Sequence, residues 1–524
     1  MRNILLALTG CLASLPALAQ WSQIYTYTTQ SPANHNYTII DQLADSADQL
    51  YLLYSDDPAK IMLFSKLDAL GNVLWTDTLG KAPYPQVNVT AGRLFAGQGR
   101  VFVTYTGYGT YAAPMAAVYQ SNGTFLGAVN LGGFSTVWTY AVHGIHPLPG
   151  GSFLAYYSYG DQFAANDTFY VKKFNNAFST VWTQKYFVPK MTWHSPSAMG
   201  PDGRLYFTYT NDSVAAGQHF TQCYTRCIDT NGIPAWIHLD TGVCHRFIRF
   251  MPSGDPVLSG PSNPNGSLMG NNTGDVVTVR LSVNNGNEVW RKTYTGPAGE
   301  REEVYSIAVD AAGNLYLGGV EDIHDYQPFI NRSVLLKYDA NGQQQALIKG
   351  PNLSAMLGVF VNPQQQLLTT ALHGSTVWNK RWNLSNWQGM DSISFLPTYA
   401  VGMNAVTSNA NSDLFYSYTE GHCGGNHFQA TRFCSRSACG PNGLPEEANT
   451  HKAVWYPNPG TGRFLLAGLA GAAIRDLRVI NTLGQMQAFQ WNGSELNLEH
   501  PVPGTYYVSY RMGEQSNCAR LLVW

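Results

Sequence analysis

Trp193, His194, His245, Arg246 and Glu303 are the side chains whose types and positions best suit chemistry. His194 lies nine residues before Gly203, and His245 nine before Gly254, each ahead of a similar glycine turn. The matching position of a third such segment is Val304, beside Glu303. If these segments are repeats, the five side chains converge on one end of a shared axis. Trp193 would then offer a stacking surface and Arg246 a partner for an anion or a carbohydrate. In a hydrolase or lyase, His194, His245 and Glu303 would supply acid–base groups instead. The plain alternative is a set of polar channel residues satisfied by water. His143 and His146 are weaker candidates, because a spacing of three puts them on opposite faces of a strand. No nucleophile elbow, phosphate loop, EF-hand loop or HExxH helix occurs. Asp68, Asp310 and Asp339 lie in glycine turns without the dense ligand series of a calcium loop, so they read as turn formers. No metal or cofactor is expected.

The elements that would position these residues are repeats of about fifty residues. The clearest runs "VYSIAVDAAGNLYLGGV" (304–320) and "SVLLKYDANGQQQALIKG" (333–350), which reads strand, turn, strand, loop, strand, turn, strand. Asn341-Gly342 is a strong hairpin signal, since both central residues of such a turn need positive φ. First hairpins of this kind recur eight times, at "LADSADQLYLLYS" (43–55) and onward to "AVTSNANSDLFYSYT" (405–419). The eighth unit has a third strand, "HFQATRFC" (427–434), and no clear fourth. "WSQIYTYTTQ" (21–30) is an orphan strand that would close the ring and remove an exposed edge. An all-β propeller of eight blades is expected, or of seven if the unit near 353–396 is irregular. Asp310-Ala-Ala-Gly-Asn-Leu-Tyr-Leu-Gly-Gly319 resembles the opening of a blade in bacterial β-propeller repeat families. That resemblance implies architecture and no activity. Tyr105, Tyr157 and Tyr209 are expected to pack between blades, with glycan stacking the competing role.

Residues 1–19 read as a signal peptide: Arg2, an apolar core, then Ala17-Leu18-Ala19. Leu8-Thr9-Gly10-Cys11 offers a lipoprotein reading with a very short apolar region. Export allows disulfides, yet seven cysteines remain beyond Cys11, so at least one lacks a partner in the chain. Cys223 and Cys227, about 13 Å apart along a strand, cannot bridge each other, while Cys434 and Cys439 could pair across a loop. Charged residues make up 12% of the chain and the formal net charge is −2, which speaks against nucleic acid and anionic membrane as partners. No other apolar run would give a transmembrane span.

After residues 20–437, the stretch 438–452 reads as a linker, and 453–524 as a small immunoglobulin-like β-sandwich. This last segment resembles the type A C-terminal sorting domain of type IX secretion cargo. The motifs are Tyr456-Pro457-Asn458-Pro459 with Gly462 and Phe464, then Val479 through Gly484-Gln485, then Gly504-Thr505-Tyr506. Trp524 and Cys518 depart from the family pattern. The resemblance implies passage through the periplasm of a Gram-negative cell, recognition by an outer-membrane translocon and trimming by a sortase-like peptidase. It implies a secreted or cell-surface destination. The whole reads as an exported, non-enzymatic binding, adhesion or scaffold module for extracellular protein or glycan; the alternative is an enzyme at the channel mouth.

Overall fold

The structure is a computed structural model. It describes residues 22–28, 37–56, 61–79, 86–108, 112–132, 139–160, 167–188, 195–215, 218–262, 274–297, 299–323, 331–362, 364–373, 376–384, 389–395, 400–408, 414–422, 425–434, 454–456, 461–467, 474–481, 486–512 and 515–523. Apart from a short 3-10 turn at Pro149–Gly151, the regular structure among these residues is β. No described helix is long and apolar enough to cross a membrane. The chain divides into two compact units, residues 1–439 and 440–524.

The first unit is an eight-bladed β-propeller. Its described residues form eight four-stranded antiparallel sheets, seven of them consecutive meanders: 37–78, 86–130, 139–188, 197–241, 247–294, 301–352 and 354–395. The eighth combines the three strands of 400–434 with Ser22–Thr28, which pairs with Gly425–Cys434. The orphan N-terminal strand therefore closes the last blade. The unit at 354–395 is a regular blade, which removes the seven-bladed alternative. The first strand of each blade lies against the first strand of the next, and that of blade 8 against that of blade 1, so eight inner strands surround one axis.

Three of the described second hairpins turn the same way on an aspartate. Asp339 Oδ1 accepts from the amides of Asn341 and Gln343 at 2.9 and 2.8 Å, and Gly342 follows at φ 76°. Asp68 and Asp229 repeat this, and Asp310 uses it in a first hairpin. The carboxylates are spent on backbone donors, as turn formers should be. Four residues beyond the positive-φ turn residue, the outer strands of blades 1, 3, 4 and 5 carry a tryptophan that lies on the next blade's turn. Trp182 Nε1 donates to Thr230 O (3.3 Å), Trp236 to Val283 O (3.0 Å) and Trp290 to Ala340 O (3.1 Å). The indole lies on the glycine of that turn: a Cβ on Gly286 would come within 2.5 Å of Trp236. Trp75 sits on Gly123 in the same way. At the junction of blades 2 and 3 the two sizes are exchanged. Gly127 takes the tryptophan position, and Phe178 takes the turn position at φ 62° and fills the space over Gly127.

Apolar residues between the blades complete the core, with Tyr105, Tyr157 and Tyr209 buried among them. In the second unit, Val454–Tyr456, Arg463–Ala467, Glu495–Leu498 and Phe489–Trp491 form one sheet. Ile474–Asn481, Gly504–Met512 and Gln515–Val523 form another. Phe464, Leu496, Val479, Tyr506 and Val508 draw both sheets onto a shared core. The Tyr506 hydroxyl donates to Val502 O at 2.8 Å, and Gly462 turns at φ 95°. Gly504 opens a strand and Tyr456 ends one; Pro457, Asn458, Pro459 and Gly484 lie outside the described residues.

The exchange at Gly127 and Phe178 is testable by a double-mutant cycle. Gly127→Trp alone should cost about 1–3 kcal/mol by overpacking against Phe178. Adding Phe178→Gly should recover at least about 1 kcal/mol of that loss, although the φ of 151° at residue 127 keeps recovery incomplete. Strictly additive denaturant stabilities would show that the two positions do not share a space.

Candidate functional site

Blades 4, 5 and 6 place three polar groups on the face where each chain link enters an inner strand. The first lies between blades 4 and 5. Asp240, near the end of the outer strand Pro234–Thr241, is buried. His245, in the link to the next inner strand, meets Asp240 Oδ2 through Nε2 at 2.6 Å. His238 Nε2 lies 3.3 Å from the same oxygen. Arg291, from the outer strand of blade 5, pairs with Asp240 and, at 2.9 Å, with Glu288. Burial alone would raise the pKa of Asp240, but the bonds to His238, His245 and Arg291 hold it well below the usual carboxylate range. His238, Asp240 and Glu288 have ligand atoms close enough to share a metal ion. The Arg291 guanidinium already supplies a cation to both carboxylates.

The second group spans the junction of the inner strands of blades 5 and 6. Arg246 directly precedes the inner strand Phe247–Phe250, and Glu303 lies in the inner strand Arg301–Val309. Arg246 Nη1 donates to Glu303 Oε1 at 3.1 Å, and Arg301 Nη2 lies 3.4 Å from the same oxygen. The arginine side chains are 24% and 35% exposed, against 12% for Glu303. Two guanidinium groups thus share one carboxylate oxygen, which leaves a net positive charge and spare N–H donors near solvent. Tyr305 stands beside them, partly exposed, its hydroxyl pushed up to about 12 by burial and then by the charge of Glu303.

The third group lies beneath the surface. Glu302 and Glu321 are fully buried and Asp322 almost so. Glu321 is paired with Lys349 (2.9 Å), Arg332 (3.3 Å) and the Tyr294 hydroxyl, and Asp322 with Arg332 (3.0 Å). Glu302 has no well-aligned partner for either carboxyl oxygen. Gly296 makes room for it: a Cβ there would stand 2.3 Å from Glu302 Oε1 and 3.0 Å from Asp322 Oδ1. Burial, and then the charges of Asp275 and Asp322, raise the Glu302 pKa to about 7 against the partial relief of the Gly296 and Asp322 amides.

Of the five residues singled out by spacing, the structure joins Arg246 to Glu303. His245 is fully buried and turned onto Asp240, so in this structure it braces the link. Trp193 and His194 lie outside the described residues. Spacing missed Arg301, Asp240, Arg291 and Glu302. Arg301-Glu302-Glu303, a charge run at a strand entry in a chain with few charges, is the signal that would have found two of them. His143 is buried and His146 partly so, and they bond to Ser158 (2.7 Å) and Ser197 (2.9 Å); desolvation holds His146 down at about 4.

No family model and no curated protein matches the chain. Solved structures with a related fold include the Dos1 propeller, 10% identical over 80% of this chain and 95% of that one, with a TM-score of 0.45. The polysaccharide lyase Uly1 is 10% identical over 68% of this chain and 90% of its own, with a TM-score of 0.43. A puromycin hydrolase is 11% identical over 76% and 60%, with a TM-score of 0.39. At these identities and scores the likenesses carry no argument about function.

Glu302 predicts a pH effect. Its folded-state pKa is raised from 4.5 to about 7, so the protonated acid suits the fold. Its contribution to stability is fully present below about 4.5 and is lost as pH rises towards 7. Glu302→Gln should therefore gain on the wild type between pH 5 and pH 8, by on the order of 1–2 kcal/mol in denaturant unfolding. Parallel pH profiles for the two proteins would mean that the carboxyl titrates as an ordinary one.

Proposed function

We propose that this protein is an exported, non-enzymatic β-propeller that binds an extracellular protein or carbohydrate at the channel mouth of blades 5 and 6. The observation that carries this reading is the Arg246–Glu303–Arg301 arrangement, in which both arginines are partly exposed and have donors to spare. Such groups recognise acidic or hydroxyl-rich ligands. The enzymatic reading has less support. His245 is locked to Asp240, and Glu302, with its near-neutral pKa, is fully buried. Neither side chain is exposed in this structure.

The proposed route out of the cell is type IX secretion, with residues 453–524 as an immunoglobulin-like sorting domain read by the translocon and cut by a sortase-like peptidase. The motifs named above support it, as does a second compact unit in which Phe464 and Tyr506 are buried. The signal peptide and a Gram-negative surface location belong to the same proposal.

Two experiments test these readings. Glycan and protein arrays probed with the mature chain should yield a ligand. Arg246→Gln and Arg301→Gln should each weaken its binding about tenfold or more, as expected for loss of a charge-assisted contact worth about 1.5–3 kcal/mol. Binding that survives both substitutions in folded protein would remove the site. Separately, a reporter fused to residues 440–524 should reach the medium or cell surface only in a host with a type IX translocon. Retention in the periplasm of such a host would overturn the sorting assignment.

A further inference from the structure

We propose that Cys223 and Cys244 form a disulfide when the chain folds under oxidising conditions, tying the third strand of blade 4 to the link that carries His245 and Arg246. Both are thiols in this structure, and both are buried, at 0% and 2% exposure. In register, Cys223 stands opposite Thr210 on one neighbouring strand and Asp240 on the other. Cross-strand partners direct their side chains to the same face of a sheet, so Cys223 and Thr210 share one. The Cys244 sulfur lies 3.6 Å from Thr210 Oγ1 and therefore over the same strand pair. The His245 amide, next in the chain to Cys244, faces the Cys223 sulfur, and the Cys244 thiol acts on it directly. Burial first, then that neighbouring thiol, push the Cys223 pKa up.

Cys227 is the other buried thiol of this blade, and its neighbours are different. It packs with Tyr206, Trp236 and Ile248, and Asp202 and Arg204 lie near it. Four residues along a strand separate it from Cys223 by about 13 Å, too far for a bond between those two. The pairing is thus specific within the blade.

The chemistry balances with an external disulfide as oxidant. One cysteine thiolate attacks that disulfide and releases the first reduced thiol. The second cysteine, having lost its proton, attacks the mixed disulfide. The Cys223–Cys244 bond forms, two electrons and two protons have left the protein, and the oxidant leaves as two thiols. A buried thiol held above its ordinary pKa is a poor nucleophile, so the bond forms during folding, before the blade closes over it. Once made, it fixes the link that ends at Arg246. The proposal stands independently of what binds there.

The test is refolding of the reduced, unfolded chain in oxidised and reduced glutathione, followed by alkylation in denaturant and peptide mapping without reductant. The expected product is a linked peptide joining Cys223 to Cys244, with Cys227 alkylated. Refolding under oxidising conditions should also raise the unfolding midpoint by about 2–5 °C over the reduced protein, a gain absent from Cys223→Ser and Cys244→Ser. Recovery of both cysteines as alkylated thiols overturns the proposal, as does a linkage of either to another residue. The wild-type map decides the matter even if neither variant folds.

Discussion

Four junctions of the ring depend on one repeated contact: an indole from the outer strand of one blade lying on the turn glycine of the next. Inner strands converge on the axis and hold each other there, but blades splay outward, and something must fix their spacing at the rim. Trp182, Trp236 and Trp290 do so with both of the side chain's resources. The ring body fills the gap over a residue that has no Cβ, and the indole N–H satisfies a turn carbonyl that would otherwise be half-covered. The exchange at Gly127 and Phe178 identifies the constraint as volume at the junction. Either blade can supply the large group, provided the other stays small.

That rigid spacing places charged groups of neighbouring blades within bonding distance. Arg291 reaches Asp240 across one junction, and Arg246 reaches Glu303 across another. Buried ion pairs of this kind return little net stability, because desolvation offsets their attraction. Breaking one is costly, since it strands a buried charge. Asp240, with two histidines and an arginine on one carboxylate, is therefore better understood as a lock on the geometry of the link than as a source of stability. The exposed part of the network begins only at Arg246, whose position that link determines.

Much of this architecture was legible because its causes are local. An Asp or Asn at the start of a turn, a residue at positive φ three positions on and alternating apolar residues define many of the hairpins without reference to the rest of the chain. The orphan strand at 22–28 could be matched to the incomplete eighth blade because an unpaired sheet edge is costly wherever it occurs. The site was less legible. His245 and Arg246 are adjacent in sequence, and strand periodicity gives no way to know which of them turns inward to Asp240 and which outward to Glu303. Glu302 and Glu303 pose the same problem, and here the strand's alternation sends one carboxylate towards Asp322 and the other towards Arg246.

The adjacency of Glu302 and Glu303 also shows how a repeat fold acquires a distinct patch. The glycines, turn aspartates and rim tryptophans recur because the junctions that carry them have the same geometric need. Charges at the strand entries face no such need, and they vary from blade to blade. In a chain with only 12% charged residues, several of them gather at the entries and outer strands of blades 4 to 6. Each paired charge there brings a desolvation penalty that an apolar side chain of similar size would avoid. Stability of the ring alone does not account for that concentration. The proposed binding role would account for it, with Asp240 and Arg291 holding the link, Arg246 at the end of that link and Arg301 on the neighbouring inner strand.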